Sequence, residues 1–95
     1  MKNEISKKLL DLKFDASCKG FFLLVEAIVM KKTNTLLNLG EICHSLAKET
    51  QTSPAAVDKN IRTCIRKSDN QYKEMTVNEV INRIVVELWW HWLDF

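Results

Sequence analysis

Between Leu39 and Arg66 the chain reads LGEICHSLAKETQTSPAAVDKNIRTCIR, two helical patterns separated by three polar residues. The first pattern, from Leu36 or Leu39 to Thr50, sets Leu39, Ile42, Cys43 and Leu46 on one face. Gln51-Thr52-Ser53 then forms the turn. Ser53 is a good N-cap, and Pro54 suits a first helical position, where a missing N–H costs little. A second helix is therefore predicted over 54–67. On a helical wheel its Val57, Ile61, Cys64 and Ile65 fall within an arc of about 100°. Ala55, Asp58, Lys59, Arg62 and Arg66 occupy a similar arc on the opposite side. One helix would thus pack on its predecessor through a tight turn and turn a basic stripe outward. A helix-turn-helix presents side chains to the DNA major groove in this way. Leu46, Ala47 and Val57 match the usual spacing, while Gln51 stands where glycine is common and Asn60 where an apolar residue is usual.

The rest of the chain extends the helical reading. Two Gly and one Pro leave few breaks, and hydrophobic residues make up 46%, too many for a disordered chain. The periodicity predicts an all-α fold, a small helical bundle of about five helices. The first spans Asn3 to Leu12, with Ile5, Leu9 and Leu12 on one face. The second, capped by Asp15 or Ser17, runs to about Lys31 and buries Phe21, Leu24, Val25 and Ile28. Thr33-Asn34-Thr35 breaks the pattern, and Ser68-Asp69-Asn70-Gln71 reads as a polar linker. Thr76 and Glu79 have capping-box spacing ahead of a last helix that reaches the C-terminus or close to it.

Several functional classes are poorly served. No apolar run approaches the roughly 20 residues of a membrane span, and the N-terminal residues lack the basic-then-apolar pattern expected of a signal peptide. The expectation is one domain over 1–95, located in the cytoplasm. Cys18, Cys43 and Cys64 contain no CxxC pair and read as small buried side chains. His44 beside Cys43 points away from it on a helix, and His91 has no second ligand at useful spacing, so no metal is expected. No Ser/His/Asp set, phosphate loop or paired carboxylates suggest an enzyme or a cofactor site.

The distribution of charge says more than the net +2. From Lys59 to Lys67 there are four basic residues and no acidic one. On the outer arc of the fourth helix, Arg62 can fork onto guanine O6 and N7, and Lys59 can reach a base or a phosphate. Asp58 can accept from cytosine N4 or orient a neighbouring cation. Ser53 and Ala55 lie at the helix N-terminus, where free N–H groups suit phosphate, and Arg66 extends the stripe.

The last helix poses a separate question. Val77, Val80, Ile81, Ile84, Val85, Leu88, Trp92 and Phe95 form one broad face that suits the core. Val86, Trp89, Trp90 and Leu93 form an opposite apolar face in the last turns. A core-packing helix needs only one such face, so these four predict an interface, either a homodimer or docking on a partner. Glu87 and Asp94 flank the patch without a cationic face, which argues against a membrane.

Three segments carry a family resemblance. Lys19-Gly20-Phe21-Phe22-Leu23-Leu24-Val25-Glu26-Ala27-Ile28 is similar to a KG-aromatic-x-x-L-x-x-AI helix. Leu46-Ala47-Lys48 through Val57-Asp58-Lys59-Asn60-Ile61-Arg62 is similar to that family's helix-turn-helix, and Thr76 to Glu87 to its final helix. The chain resembles the DNA-binding effector domain of the sporulation master response regulator, stage zero sporulation protein A, of endospore-forming Firmicutes. The resemblance implies a helical bundle that reads a short asymmetric box in duplex DNA. It places the base-reading positions on Asp58, Lys59 and Arg62. The family usually has glutamate and then arginine at the first two; Asp58 is one methylene shorter, and Lys59 lacks the bidentate fork. The expectation is an effector-like segment without a receiver domain, either free-standing or an excised domain. The leading expectation is a transcription regulator that binds duplex DNA. The alternative is an interaction module or decoy on the same scaffold, docking on RNA polymerase or the full-length regulator through the Trp-rich C-terminal helix.

Overall fold

The computed structural model describes residues 2–68 and 71–93, with side chains described for 2–68 and 71–88. Five α-helices follow in order: α1 (Lys2–Asp11), α2 (Lys19–Thr33), α3 (Leu39–Thr50), α4 (Pro54–Lys67) and α5 (Val77–Leu93). Among the described residues there is no strand. The all-α bundle predicted from periodicity is therefore the fold observed.

Helix α2 is the centre of the bundle and touches each of the other four. Its sequence explains why. Phe21, Leu23, Leu24, Val25, Ala27 and Ile28 are all buried, which leaves no broad polar face. A helix apolar around most of its circumference is stable only when surrounded. Ile5 and Leu9 of α1, Val57 and Ile61 of α4, and Val80 and Ile84 of α5 join it in one continuous core. Phe22 is an exception on α2 and remains exposed.

The helix ends are set by local chemistry. α1 stops where Lys13 adopts a left-handed conformation (φ 73°), and the Phe14 N–H donates back to the Leu9 carbonyl at 3.0 Å. Phe14 then turns into the core. The N-cap of α2 is Cys18, with no side-chain cap bond, and neither Asp15 nor Ser17 fills that place. Asp15 is engaged one turn earlier: its carboxylate accepts from the Ser17 N–H at 2.9 Å and the Ser17 hydroxyl at 2.7 Å. Those two bonds close an Asx-type turn and hold the Asp15 carboxyl below its ordinary range. Past α2, the Lys31 ammonium donates to the Leu37 carbonyl at 2.5 Å and braces the loop.

α3 begins with a full capping box. Asn38 accepts from the Glu41 N–H at 2.8 Å, and the Glu41 carboxylate accepts from the Asn38 N–H at 3.1 Å. This fixes its start at Leu39. α5 starts with the predicted box: the Glu79 N–H donates to the Thr76 hydroxyl and the Thr76 N–H to the Glu79 carboxylate, both at 3.2 Å.

The segment between α4 and α5 is more than a polar linker. Ser68 is buried, and its hydroxyl donates to the Ile65 carbonyl. Tyr72 is fully buried, its ring 6.0 Å from that of Phe14. The Tyr72 hydroxyl donates to Glu87 of α5 at 2.8 Å. Glu87 also faces Lys8 and Arg83, each at 3.7 Å. A buried aromatic with a satisfied hydroxyl thus anchors the connection to both ends of the chain.

Candidate nucleic-acid interface

The geometry of α3, its turn and α4 follows from one residue in an unusual conformation. Gln51 caps α3 in the left-handed region, φ 56° and ψ 43°. The Thr52 N–H then reaches back to the Ala47 carbonyl at 2.9 Å. This 6→1 closure reverses the chain within three residues. The conformation is the one glycine takes without strain, which explains why glycine is common at this place; here Gln51 adopts it. Ser53 then caps α4, its hydroxyl accepting from the Ala56 N–H at 3.1 Å, with Pro54 in the first turn.

The two faces of α4 are sharply divided. Val57, Ile61, Cys64 and Ile65 are at most 1% exposed. They pack with Ile42, Cys43, Leu46 and Ala47 of α3 in the same core. On the other side Ala55, Lys59, Arg62 and Arg66 are exposed and Asp58 is half-buried. Every position assigned to an arc from the sequence lies on the side predicted for it. Rotation of α4 is fixed by four buried anchors, so the outer residues are presented by a rigid element.

Asp58 and Arg62 are coupled. One terminal nitrogen of the Arg62 guanidinium donates to the Asp58 carboxylate at 2.8 Å, across one helical turn. Both are too exposed for this pair to add much stability. Its effect is on geometry: the carboxylate holds one edge of the guanidinium and restricts its plane.

Further polar groups border this face. Arg62, Arg66 and Asp58 line an open groove with Lys73, Glu74 and Asn78 from the α4–α5 connection and the start of α5. Sequence reasoning did not place Lys73 here. No spacing rule links it to α4; its position depends on the anchoring of Tyr72 next to it.

The opposite apolar patch of α5 is only partly visible. Val86 is 53% exposed. The side chains of Trp89, Trp90 and Leu93 lie outside the described residues. Among the described residues no group of His, Cys, Asp and Glu side chains is placed to hold a metal. No described helix is long and apolar enough to cross a membrane.

The family described as the sporulation initiation factor Spo0A C-terminal domain matches residues 5–88. The chain belongs to that family. It is thus a DNA-binding effector domain of the response-regulator type, with a role in transcription regulation in sporulation. The match takes in all of α3 and α4, and α5 as far as Leu88. The Spo0A C-terminal family is a regulatory one, not a family of enzymes. Comparison with curated proteins and with solved structures gives no match.

Proposed function

We propose that α4 is the recognition helix of this effector domain and enters the major groove of duplex DNA in a sequence-specific manner. The observation that carries this reading is the division of α4. Its inner face is locked into the core, and its outer face presents Asp58, Lys59, Arg62 and Arg66 directly after a three-residue turn from α3. Arg62, steadied by Asp58, forks onto a guanine edge. Lys59 reaches a base or phosphate as a single point of charge. Ser53 and Ala55, at the N-terminus of α4, approach a phosphate, where the Ala55 N–H and the helix dipole favour an anion. Arg66 adds a backbone contact at the far end of the helix.

The test is a selection of bound sequences from a random duplex pool, followed by titration of the selected duplex with the parent and with Arg62→Ala. Loss of a bidentate base contact should weaken specific binding by about 1–3 kcal/mol and relax base choice at one position. Equal affinity and equal base preference in the variant would remove Arg62 from the base-reading role.

A second reading rests on the exposure of Val86. A homodimer, or a partner protein such as RNA polymerase, uses the outer face of α5 through Val86, Trp89, Trp90 and Leu93. Sedimentation of the parent and of a Trp90→Ala/Leu93→Ala variant tests it: the parent should self-associate and the variant should not. A parent that stays monomeric at high concentration removes the dimer.

A further inference from the structure

Two of the three cysteines meet in space, although they lie in different helices and far apart in sequence. Cys18 is the N-cap of α2, and its thiol makes no cap bond. Cys64 is on the inner face of α4, fully buried. Cys18 lies near enough to Cys64 to help push its thiol up. Gly20 makes this possible. Because residue 20 has no side chain, α4 comes so close that a Cβ there would lie 2.9 Å from the Cys64 Cβ. Both cysteines line one open surface depression, with Lys19, Asn60, Thr63 and Lys67 around it. Cys43, on α3, is not among its lining residues and is itself buried.

We propose that Cys18 and Cys64 form an oxidant-reactive dithiol site whose disulfide clasps α4 to the start of α2. The oxidant class is a hydroperoxide. Cys18 is the partly exposed thiol and reacts first. Its thiolate sulfur attacks the outer oxygen of the peroxide, the O–O bond breaks, and Cys18 becomes a sulfenic acid while the leaving oxygen departs as an alcohol, or as water when the oxidant is hydrogen peroxide. The Cys64 sulfur then attacks the Cys18 sulfur and displaces hydroxide, which takes the Cys64 proton and leaves as water. Two thiols and one hydroperoxide thus give one disulfide, one alcohol and one water. Burial, and then the neighbouring Cys18, push the Cys64 thiol up to about 12, so it keeps its proton and serves as the second, resolving group. The bond closes a loop holding all of α2, all of α3 and most of α4, which lowers the entropy of the unfolded chain.

This proposal is independent of how α4 meets DNA. The probe is hydrogen peroxide applied to the full chain, followed by alkylation, proteolysis and mass spectrometry. The expected result is loss of two of the three thiols. The Cys18 and Cys64 peptides should be joined, with Cys43 alkylated as in the untreated protein, and a dithiol reductant should restore all three. The oxidised chain should melt at a higher temperature than the reduced one. Cys18→Ser should abolish the joined peptide while leaving the fold intact, since serine is a better N-cap than cysteine. Four outcomes overturn the proposal: no thiol loss; Cys18 carried to a sulfinic acid with Cys64 still alkylatable; a bridge through Cys43 or between two chains; or an oxidised chain that melts lower.

Discussion

Gly20→Ala should be strongly destabilising, although Gly→Ala inside a helix is ordinarily favourable. Gly20 lies in the first turn of α2 and is buried. In an exposed helix the change would gain about 0.5–1 kcal/mol, because alanine loses less backbone entropy on folding. Here the new Cβ would lie 2.0 Å from the Asn60 carbonyl oxygen and 2.6 Å from its carbonyl carbon. Ordinary van der Waals contact begins near 3.4 Å. The atoms in the way are backbone, so no side-chain rotation relieves the clash. α4 must retreat by more than an ångström, and Val57, Ile61, Cys64 and Ile65 move with it. Overpacking a well-filled interior costs typically 1–3 kcal/mol and sometimes more. A backbone clash this deep belongs at or above the top of that range, about 3 kcal/mol, so after a propensity gain of up to about 1 kcal/mol the expected net loss is about 2 kcal/mol or more. A domain of this size has roughly 5–14 kcal/mol in total. The melting temperature should fall by about 10 °C or more. Urea unfolding of parent and variant, with the slope compared as well as the midpoint, measures it. Gly40→Ala is the internal comparison. Gly40 is an exposed α3 residue, and a Cβ there meets only the Asn38 side-chain oxygen, at 3.3 Å. That variant should be neutral or gain up to about 1 kcal/mol. If Gly20→Ala is as stable as the parent, the close approach of α2 and α4 is wrong.

Two other outcomes follow from the same structure. Asn38→Ala removes one half of the capping box on α3 and should cost about 1 kcal/mol in urea unfolding, with Asn38→Ser recovering most of it; an unchanged midpoint would show that the box contributes nothing. Burial raises the Cys43, Cys64 and Tyr72 groups above ordinary values of 9.0, 9.0 and 10.0. These are acids held neutral in the folded state, so above pH 9 the unfolded chain releases protons that the folded one keeps. Stability should therefore be pH-independent with respect to them below about 9. It should fall as pH rises from there toward about 12, by at most about 1.4 kcal/mol per pH unit for each group. Denaturant midpoints measured across that range check it, and a flat profile would contradict the burial of these groups.

Most of the fold was legible because its signals are local. The periodicity of α4 and α5 placed the core residues of α4 and those of α5 as far as Leu88, while Trp92 and Phe95 of the same face lie outside the described residues, and the Ser53-Pro54 and Thr76-x-x-Glu79 signatures fixed the starts of both helices. The Asn38-x-x-Glu41 box is equally local, and it resolves the choice between Leu36 and Leu39 for the start of α3. Asp15 shows where such rules compete. It is a fine cap residue by type, but its carboxylate closes a turn with Ser17 and leaves Cys18 at the helix boundary. Tyr72 was not legible as a core residue. Its neighbours are polar, and its burial depends on Phe14 and Glu87, which are remote in sequence. The outer arc of the candidate interface could be read, since wheel geometry fixes it once the apolar arc is known. The flank at Lys73 and the meeting of Cys18 with Cys64 could not be. Each depends on how two helices are brought together, and no spacing within one helix encodes that.

Gly20 and Asp58 show how packing and recognition divide the work on α4. The inner side of that helix tolerates little: its anchors are nearly wholly buried, and its backbone at Asn60 rests against a glycine. The outer side carries almost no folding free energy, because the Asp58–Arg62 pair is solvent-exposed and the neighbouring cations face water. Substitutions there should leave the domain folded, and on the proposed reading would change which duplex is bound. The two are still linked mechanically. The proposed base-reading role of Arg62 would demand that it be held within a fraction of an ångström, and the inner anchors fix the height and rotation of the helix that bears it. Asp58 adds the last degree of control by restricting the guanidinium plane. On this reading, specificity depends as much on which carboxylate steadies the arginine as on the arginine itself.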